Sequence, residues 1–315
     1  FVASQQGNVP ADLNRSFHIL GGNRLGMDPF NPIDLEGLQL WLDARYGHTL
    51  FIDEDASTLV SEDGDFIGVW QDLSGKDHHA FTFEGQPEWK PNGLNSLPTI
   101  DFLGDIMEVR DSAESFDNWS EITVLLIFSN DDENFANIIG KTNYAGWVDN
   151  SKDLAWSIFT HRLDGGYNLW GPAIITDTPS NYYGNNTGTK ALQTQDGGGP
   201  GILIFSYTSG KFVLHVNGTQ RINYSGLSGR IQSKPQLNVT IGGFQNKGGK
   251  NKLNLSEVIV LDRVLSTPEQ LELEGHVAHK WDLQGNLPSS HEYKTSPPVS
   301  APKDFDFFDG IVDDL

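Results

Sequence analysis

The sequence predicts an all-β protein, an antiparallel β-sandwich with one short helix near the C-terminal end. Three observations carry that expectation. The 315 residues include 34 Gly, 8 Trp, 8 Tyr and 18 Phe but only 2 Met, and the apolar residues come in short runs broken by Gly, Asn, Asp and Pro. That pattern suits strands joined by turns. Nine strand-like runs succeed one another between residues 121 and 261, and a meander of that kind with a single late helical pattern is the signature of a sandwich.

In chain order, Gly37 to Ala44 alternates as a half-buried strand does. An acidic loop follows and returns through Val69-Trp70-Gln71-Asp72 into Leu73 to Ala80. Residues 97–102 and the run after Gly104-Asp105 add strand candidates, and the long series comprises 121–129, 137–141, 154–160, 167–175, 201–207, 211–216, 219–224, 238–242 and 252–261. Ser209-Gly210 joins two of these runs. Asn217-Gly218, flanked by Phe212 to Val216 and by Arg221-Ile222, is the strongest short hairpin signal in the chain. The helix begins after Ser266 or Thr267, each followed three residues on by Glu269 or Gln270 as a capping-box partner, with Pro268 in the first turn. Leu273, Val277 and Trp281, with Leu271 and Ala278 beside them, form its apolar stripe, while Glu272, His276, His279 and Lys280 are expected to point elsewhere. A polar exit, Asn286 to Lys294, closes on Pro297-Pro298.

The net charge of −21 argues against nucleic acid or an anionic membrane as partner, because phosphate binding needs a Lys/Arg patch. No run of 18 apolar residues offers a spanning helix. The absence of Cys excludes disulfides, thiolate zinc sites and cysteine nucleophiles. The chain starts at Phe1, which favours a removed signal peptide and hence a secreted or cell-surface protein. Seven Asn-x-Ser/Thr sequons, at Asn14, Asn118, Asn185, Asn217, Asn223, Asn238 and Asn254, are possible glycosylation sites.

Two phrases, Leu40-Trp41-Leu42-Asp43-Ala44 and Trp70-x-Asp72-x-Ser74-Gly75 followed by His79-Ala80, stand near the start. Near the end the order is strand, capped helix, His279-Lys280-Trp281, Asn286-Leu287-Pro288-Ser289-Ser290-His291-Glu292-Tyr293, Ser296-Pro297-Pro298. Together they resemble the LamG-like, concanavalin A-like lectin/glucanase domains of secreted bacterial proteins. The resemblance covers residues 37–298 and leaves 1–36 as an N-terminal extension and 299–315 as an acidic-aromatic tail. It implies a jelly-roll sandwich and a non-enzymatic module that binds carbohydrate or mediates adhesion, with a polysaccharide or cell-surface glycan as partner. It also implies that His279 and the His78-His79 pair are structural.

Laminarinase-type hydrolases of that superfamily carry Glu-x-Asp-x-Glu on one strand, so that the carboxylates share a cleft; no such triplet occurs here. A glycosidase or lyase would need a pair assembled from distant strands. For metal, the acidic loop offers Asp53, Asp55, Asp63 and Asp65, a density of carboxylates that suits Ca²⁺, against the bland reading of a solvated acidic loop. His276 and His279, with Glu272 one turn earlier, lack a third zinc ligand by spacing. A sugar offers CH faces for stacking and hydroxyls for polar contacts. Loop residues Trp147, Asp149 and Asn150, and a second set of Tyr182, Tyr183 and Asn185, have that make-up. The alternative function is a subunit of a self-assembling extracellular fibre or surface layer, in which a copy's terminal extension joins a neighbour's sheet edge.

Overall fold

Two antiparallel sheets face each other across one apolar core. The computed structural model describes residues 30–110, 112–130, 136–143, 153–163, 167–178, 182–183 and 199–299, and Phe30–Pro298 form one compact unit. Among the described residues, the first sheet holds β1 (Leu38–Asp43), β5 (Glu88–Leu94), β6 (Leu97–Leu103), β8 (Glu121–Asn130), β13 (Gly201–Thr208), β14 (Lys211–Val216), β15 (Thr219–Ser225) and β17 (Lys252–Leu261). The second holds β2 (Leu50–Phe51), β3 (Val69–Trp70), β4 (Ala80–Glu84), β7 (Ile106–Val109), β9 (Ala136–Thr142), β10 (Leu154–Leu163), β11 (Tyr167–Ile175), β12 (Tyr182–Tyr183) and β16 (Val239–Ile241). The expected sandwich and its single late helix, α1 (Thr267–Lys280), are therefore present.

The order in the first sheet is β15-β14-β13-β8-β17-β6-β5, and β1 also pairs with β17. β17 lies against β8 over most of its length, while its other edge takes β6 through Leu255 and β1 from Glu257 onward. The change of partner falls at a register break between Leu255 and Glu257, where the Ser256 carbonyl accepts from Ala44 N at 2.9 Å. Val258, Ile259, Val260 and Leu261 are all fully buried, so both faces of this strand are covered and its sequence is continuously apolar. The hairpin between β14 and β15 turns at Asn217 (φ 50) and Gly218 (φ 71), a pair of positive angles that only an Asn-Gly type of dipeptide adopts readily. The second sheet runs β12-β11-β10-β9-β16-β7-β4-β3-β2.

Strand alternation sorts the first sheet's residues by face. Leu40, Leu42, Val258 and Val260 lie on one face, and Trp41, Asp43, Glu257 and Ile259 on the other. α1 covers the second set: Trp281 Nε1 donates to Glu257 Oε2 at 2.6 Å and Trp41 Nε1 to Glu257 Oε1 at 2.8 Å. Lys280 does not point away from this face as its place in the sequence suggested. Its amine binds Asp43 and Glu257 and its side chain is 8% exposed, because a long stem at the last helical turn reaches past the stripe to the two carboxylates below it. Glu274 is buried as well and contacts His291 Nε2 at 3.2 Å.

The helix starts as its sequence specifies. Ser266 caps it, and the Glu269 carboxylate accepts from Ser266 N at 2.8 Å and from the Arg263 guanidinium at 2.6 and 3.0 Å. The polar exit is strapped across the helix. A Cβ at Gly275 would stand 2.4 Å from Tyr293 Cβ, so only glycine permits that approach. His279 bonds the Tyr293 carbonyl at 2.8 Å, and Lys294 Nζ donates to the carbonyls of Gln284, Gly285 and Leu287 at 2.7 Å each.

The loop phrase 72–79 is organised by Asp72, whose carboxylate accepts from Trp41 N at 2.8 Å, Ser74 N at 2.9 Å, Ser74 Oγ at 2.6 Å and His78 N at 3.1 Å. His78 Nδ1 meets the Gln39 carbonyl at 2.7 Å and His79 Nδ1 accepts from Asp72 N at 3.1 Å. These two histidines hold backbone.

Trp281 is fully buried, and Trp281→Ala is expected to lower stability by about 3–5 kcal/mol in denaturant titration; a midpoint equal to that of the wild type would refute the lid role of α1. The Arg263 hydrogen bond, foremost, and those from Ser266 hold the Glu269 carboxyl down at about 2, against 4.5 for a free glutamate. A depressed carboxylate stabilises the fold above its unfolded pKa and ceases to do so as pH falls through its folded one. Glu269→Gln is therefore expected to cost about 1 kcal/mol at neutral pH, with the difference in melting temperature closing as pH falls from about 4.5 toward 2. A difference that persists at the acid end would overturn the assignment.

Candidate functional site

The outer face of the second sheet, where β4 runs between β3 and β7, gathers aromatic and polar groups at the surface. Ala80, Met107 and Val109 point into the core, so Phe81 and Glu108, which face each other in register, point outward. The Arg110 guanidinium lies over the Phe81 ring at 4.1 Å from its centroid and pairs with Glu54 at 2.8 Å. One register break later, Phe83 carries the Lys247 amine 4.9 Å from its ring centroid. Lys247 and Lys250 approach the Glu84 carboxylate at 2.7 and 3.6 Å, and the Lys247 hydrogen bond and charge hold the Glu84 pKa below its ordinary range. Beside Phe81, Glu108 Oε1 accepts from Asn238 Nδ2 at 2.8 Å, and Asn238 N donates to Gln245 Oε1 at 2.8 Å. The rings are half-buried, whereas the Arg110, Glu54 and Lys247 side chains are 41%, 59% and 49% exposed.

The result is two apolar ring surfaces framed by guanidinium, amine, amide and carboxylate groups. A ligand that displaces the Arg110 or Lys247 side chain can stack an apolar face on the ring beneath while the polar rim hydrogen-bonds its edges. The sequence signal for it is thin. Phe81 and Phe83 stand two apart on one strand, but Arg110, Asn238 and Lys247 come from remote loops and strands.

The acidic loop divides into two turns. Asp53 closes the first, accepting from Ser57 N at 2.9 Å and Thr58 N at 2.8 Å, and Asp65 closes the second, accepting from Ser61 N at 2.7 Å and Glu62 N at 2.8 Å. Those backbone hydrogen bonds, from Ser57 onto Asp53 and from Glu62 and Ser61 onto Asp65, lower both pKa values. Asp55 is exposed, and Asp63 faces Lys90 at 3.6 Å. Glu54 carries the first turn onto Arg110, so the loop borders the aromatic face. Among the described residues no group of three or more His, Asp or Glu is gathered so that it could hold a metal ion.

Of the proposed sugar contacts, Trp147, Asp149, Asn150 and Asn185 lie outside the described residues. Tyr182 and Tyr183 form β12 at the edge of the second sheet, paired with Ile175 and Ile174 of β11. Of the sequons, Asn14 and Asn185 are also outside the described residues. Asn118 and Asn223 are exposed, Asn254 is half-buried in β17, Asn217 Oδ1 accepts from Ile202 N at 2.9 Å, and Asn238 is the Glu108 partner. Of the terminal extensions 1–36 and 299–315, residues 1–29 and 300–315 fall outside as well. Among the described residues no helix is long and apolar enough to cross a membrane.

No protein-family model matches the chain, and no curated protein does. Solved structures similar to it include a Trypanosoma rangeli sialidase in complex with sialic acid, at 15% identity and a TM-score of 0.45 over 79% of this chain and 34% of the sialidase. Domain 4 of AbnA, a GH43 extracellular arabinanase from Geobacillus stearothermophilus in complex with arabinotriose, matches at 12% identity and 0.45 over 63% of this chain and 89% of that domain. The binding domain of paraclostridial mosquitocidal protein 1 matches at 14% identity and 0.47 over 78% and 53%. The chain spans about a third of the length of the sialidases it matches. At this level of similarity these proteins assign no activity to the chain.

Proposed function

We infer that the chain is a non-enzymatic carbohydrate-binding or adhesive module of a secreted or cell-surface protein, taking a polysaccharide or cell-surface glycan. The observation that carries this reading is the outward pair Phe81 and Phe83, each topped by a cation and flanked by Glu108, Asn238 and Gln245. Sugar rings present CH faces to aromatic surfaces and hydroxyls to amide, carboxylate and guanidinium groups, and this face supplies both kinds of partner.

A glycan array followed by titration of the best polysaccharide tests the reading. Phe81→Ala and Phe83→Ala are each expected to weaken binding about tenfold, the loss of one stacking contact, with an unchanged circular dichroism spectrum. Absence of binding to every glycan, or binding indifferent to both substitutions, would sink it. Running the same titration with and without a chelator reads whether Ca²⁺ at the 53–65 loop assists.

A further inference from the structure

Beneath α1, three ionisable side chains meet away from solvent. Lys280 Nζ donates to Asp43 Oδ2 and, at 2.7 Å, to Glu257 Oε1; the three side chains are 8%, 0% and 0% exposed. The amine lies 5.5, 5.8 and 5.6 Å from the ring centroids of Trp41, Tyr46 and Trp281, which wall it from water. The proton affinities of the two carboxyls are shifted in opposite directions. Burial, reinforced by the facing Glu257, pushes the Asp43 carboxyl up to about 6. Burial also opposes charge on Glu257, but the Lys280 ammonium, its hydrogen bond and that of the Trp281 indole outweigh it and keep the Glu257 pKa low.

Two carboxyls whose proton affinities are driven apart are suited to separate acid and base roles, and here one amine touches both. Another buried lysine, Lys141, differs. Lys141 Nζ binds Asp117 at 2.7 Å and the carbonyls of Ser112, Ala113 and Ser115 at 3.3, 2.6 and 2.7 Å, a set of one carboxylate and three neutral acceptors that offers no second carboxylate to carry a proton.

We propose that Lys280 Nζ and Asp43 Cγ become joined by an intramolecular amide bond, with Glu257 carrying the proton. One ammonium hydrogen passes to the Asp43 carboxylate, leaving an amine beside a carboxylic acid. Nζ then adds to Cγ. Glu257 takes a second hydrogen from the nitrogen and delivers it to the departing hydroxyl; the C–O bond breaks, water leaves, and the third hydrogen stays on the amide nitrogen. Glu257 ends as it began, and neither oxidant nor cofactor is consumed. Fixing the two groups in contact replaces a bimolecular encounter with an intramolecular one, which raises the effective concentration of the amine by many orders of magnitude, and the aromatic walls exclude the water that would reverse the step. The bond ties β1 to the last turn of α1.

The test is the intact mass of the full chain under denaturing conditions, followed by proteolysis and tandem mass spectrometry. The expected result is a mass one water below that of the sequence and a peptide pair joined through Asp43 and Lys280. The full sequence mass overturns the proposal, and so does a water loss mapped elsewhere, such as to a succinimide at Asp63-Gly64. Lys280→Arg is expected to keep the full mass. Glu257→Gln is expected to slow the water loss at least about 100-fold, the usual weight of a positioned proton carrier. Water loss at the wild-type rate in Glu257→Gln overturns the role given to Glu257. The wild-type mass decides the bond itself even where a variant fails to fold.

Discussion

Asp43 and Glu257 stand directly opposite each other on neighbouring strands, on the same face of the first sheet. Two carboxylates in that relation repel, and burying both would be untenable without a cation. Lys280 provides it from the end of α1, and the indoles of Trp41 and Trp281 donate one further hydrogen bond each to Glu257. Closure of the sheet by the helix is therefore an electrostatic requirement as well as an apolar one. The capping box and the Arg263 fork fix where α1 begins, and its length then decides that Lys280 arrives over the two acids.

β17 is what makes this arrangement possible. By changing its partner from β6 to β1 at the Leu255/Glu257 break, it brings β1 and the acids of both strands under the helix. The same strand holds β8 on its other edge, so the sandwich core and the helix site share one backbone. The strap that follows α1, with Tyr293 against Gly275 and Lys294 on three carbonyls, holds the helix from above. The aromatic face at Phe81 and Phe83 is built on the opposite sheet and shares none of these groups, so that surface can vary without disturbing the closure.

Where local chemistry decides, the sequence is legible. Asn217-Gly218 turns as it must because few other dipeptides accept two positive φ angles, Ser266 and Glu269 start the helix because their hydrogen bonds are local, and 252–261 is a strand because its apolar run is too short and branched for a buried helix. The two-residue strands β2, β3 and β12 leave no periodic pattern to read, and β5 contains Pro91 within its run. The acidic loop reads as one cluster, yet Asp53 and Asp65 each bond the backbone of its own turn, a use of carboxylates that composition does not reveal.

By itself the sequence determined the all-β class, the long strands, the hairpin and the capped helix with Trp281 beneath it, since all of these depend on contacts between near neighbours. Only the tertiary structure decided that Lys280 turns inward to two acids more than 20 and more than 230 positions away, 23 from Glu257 and 237 from Asp43. It likewise decided that Arg110 and Lys247 cover Phe81 and Phe83. Pairings at such separations are set by strand order and register, which the pattern of any one segment does not encode.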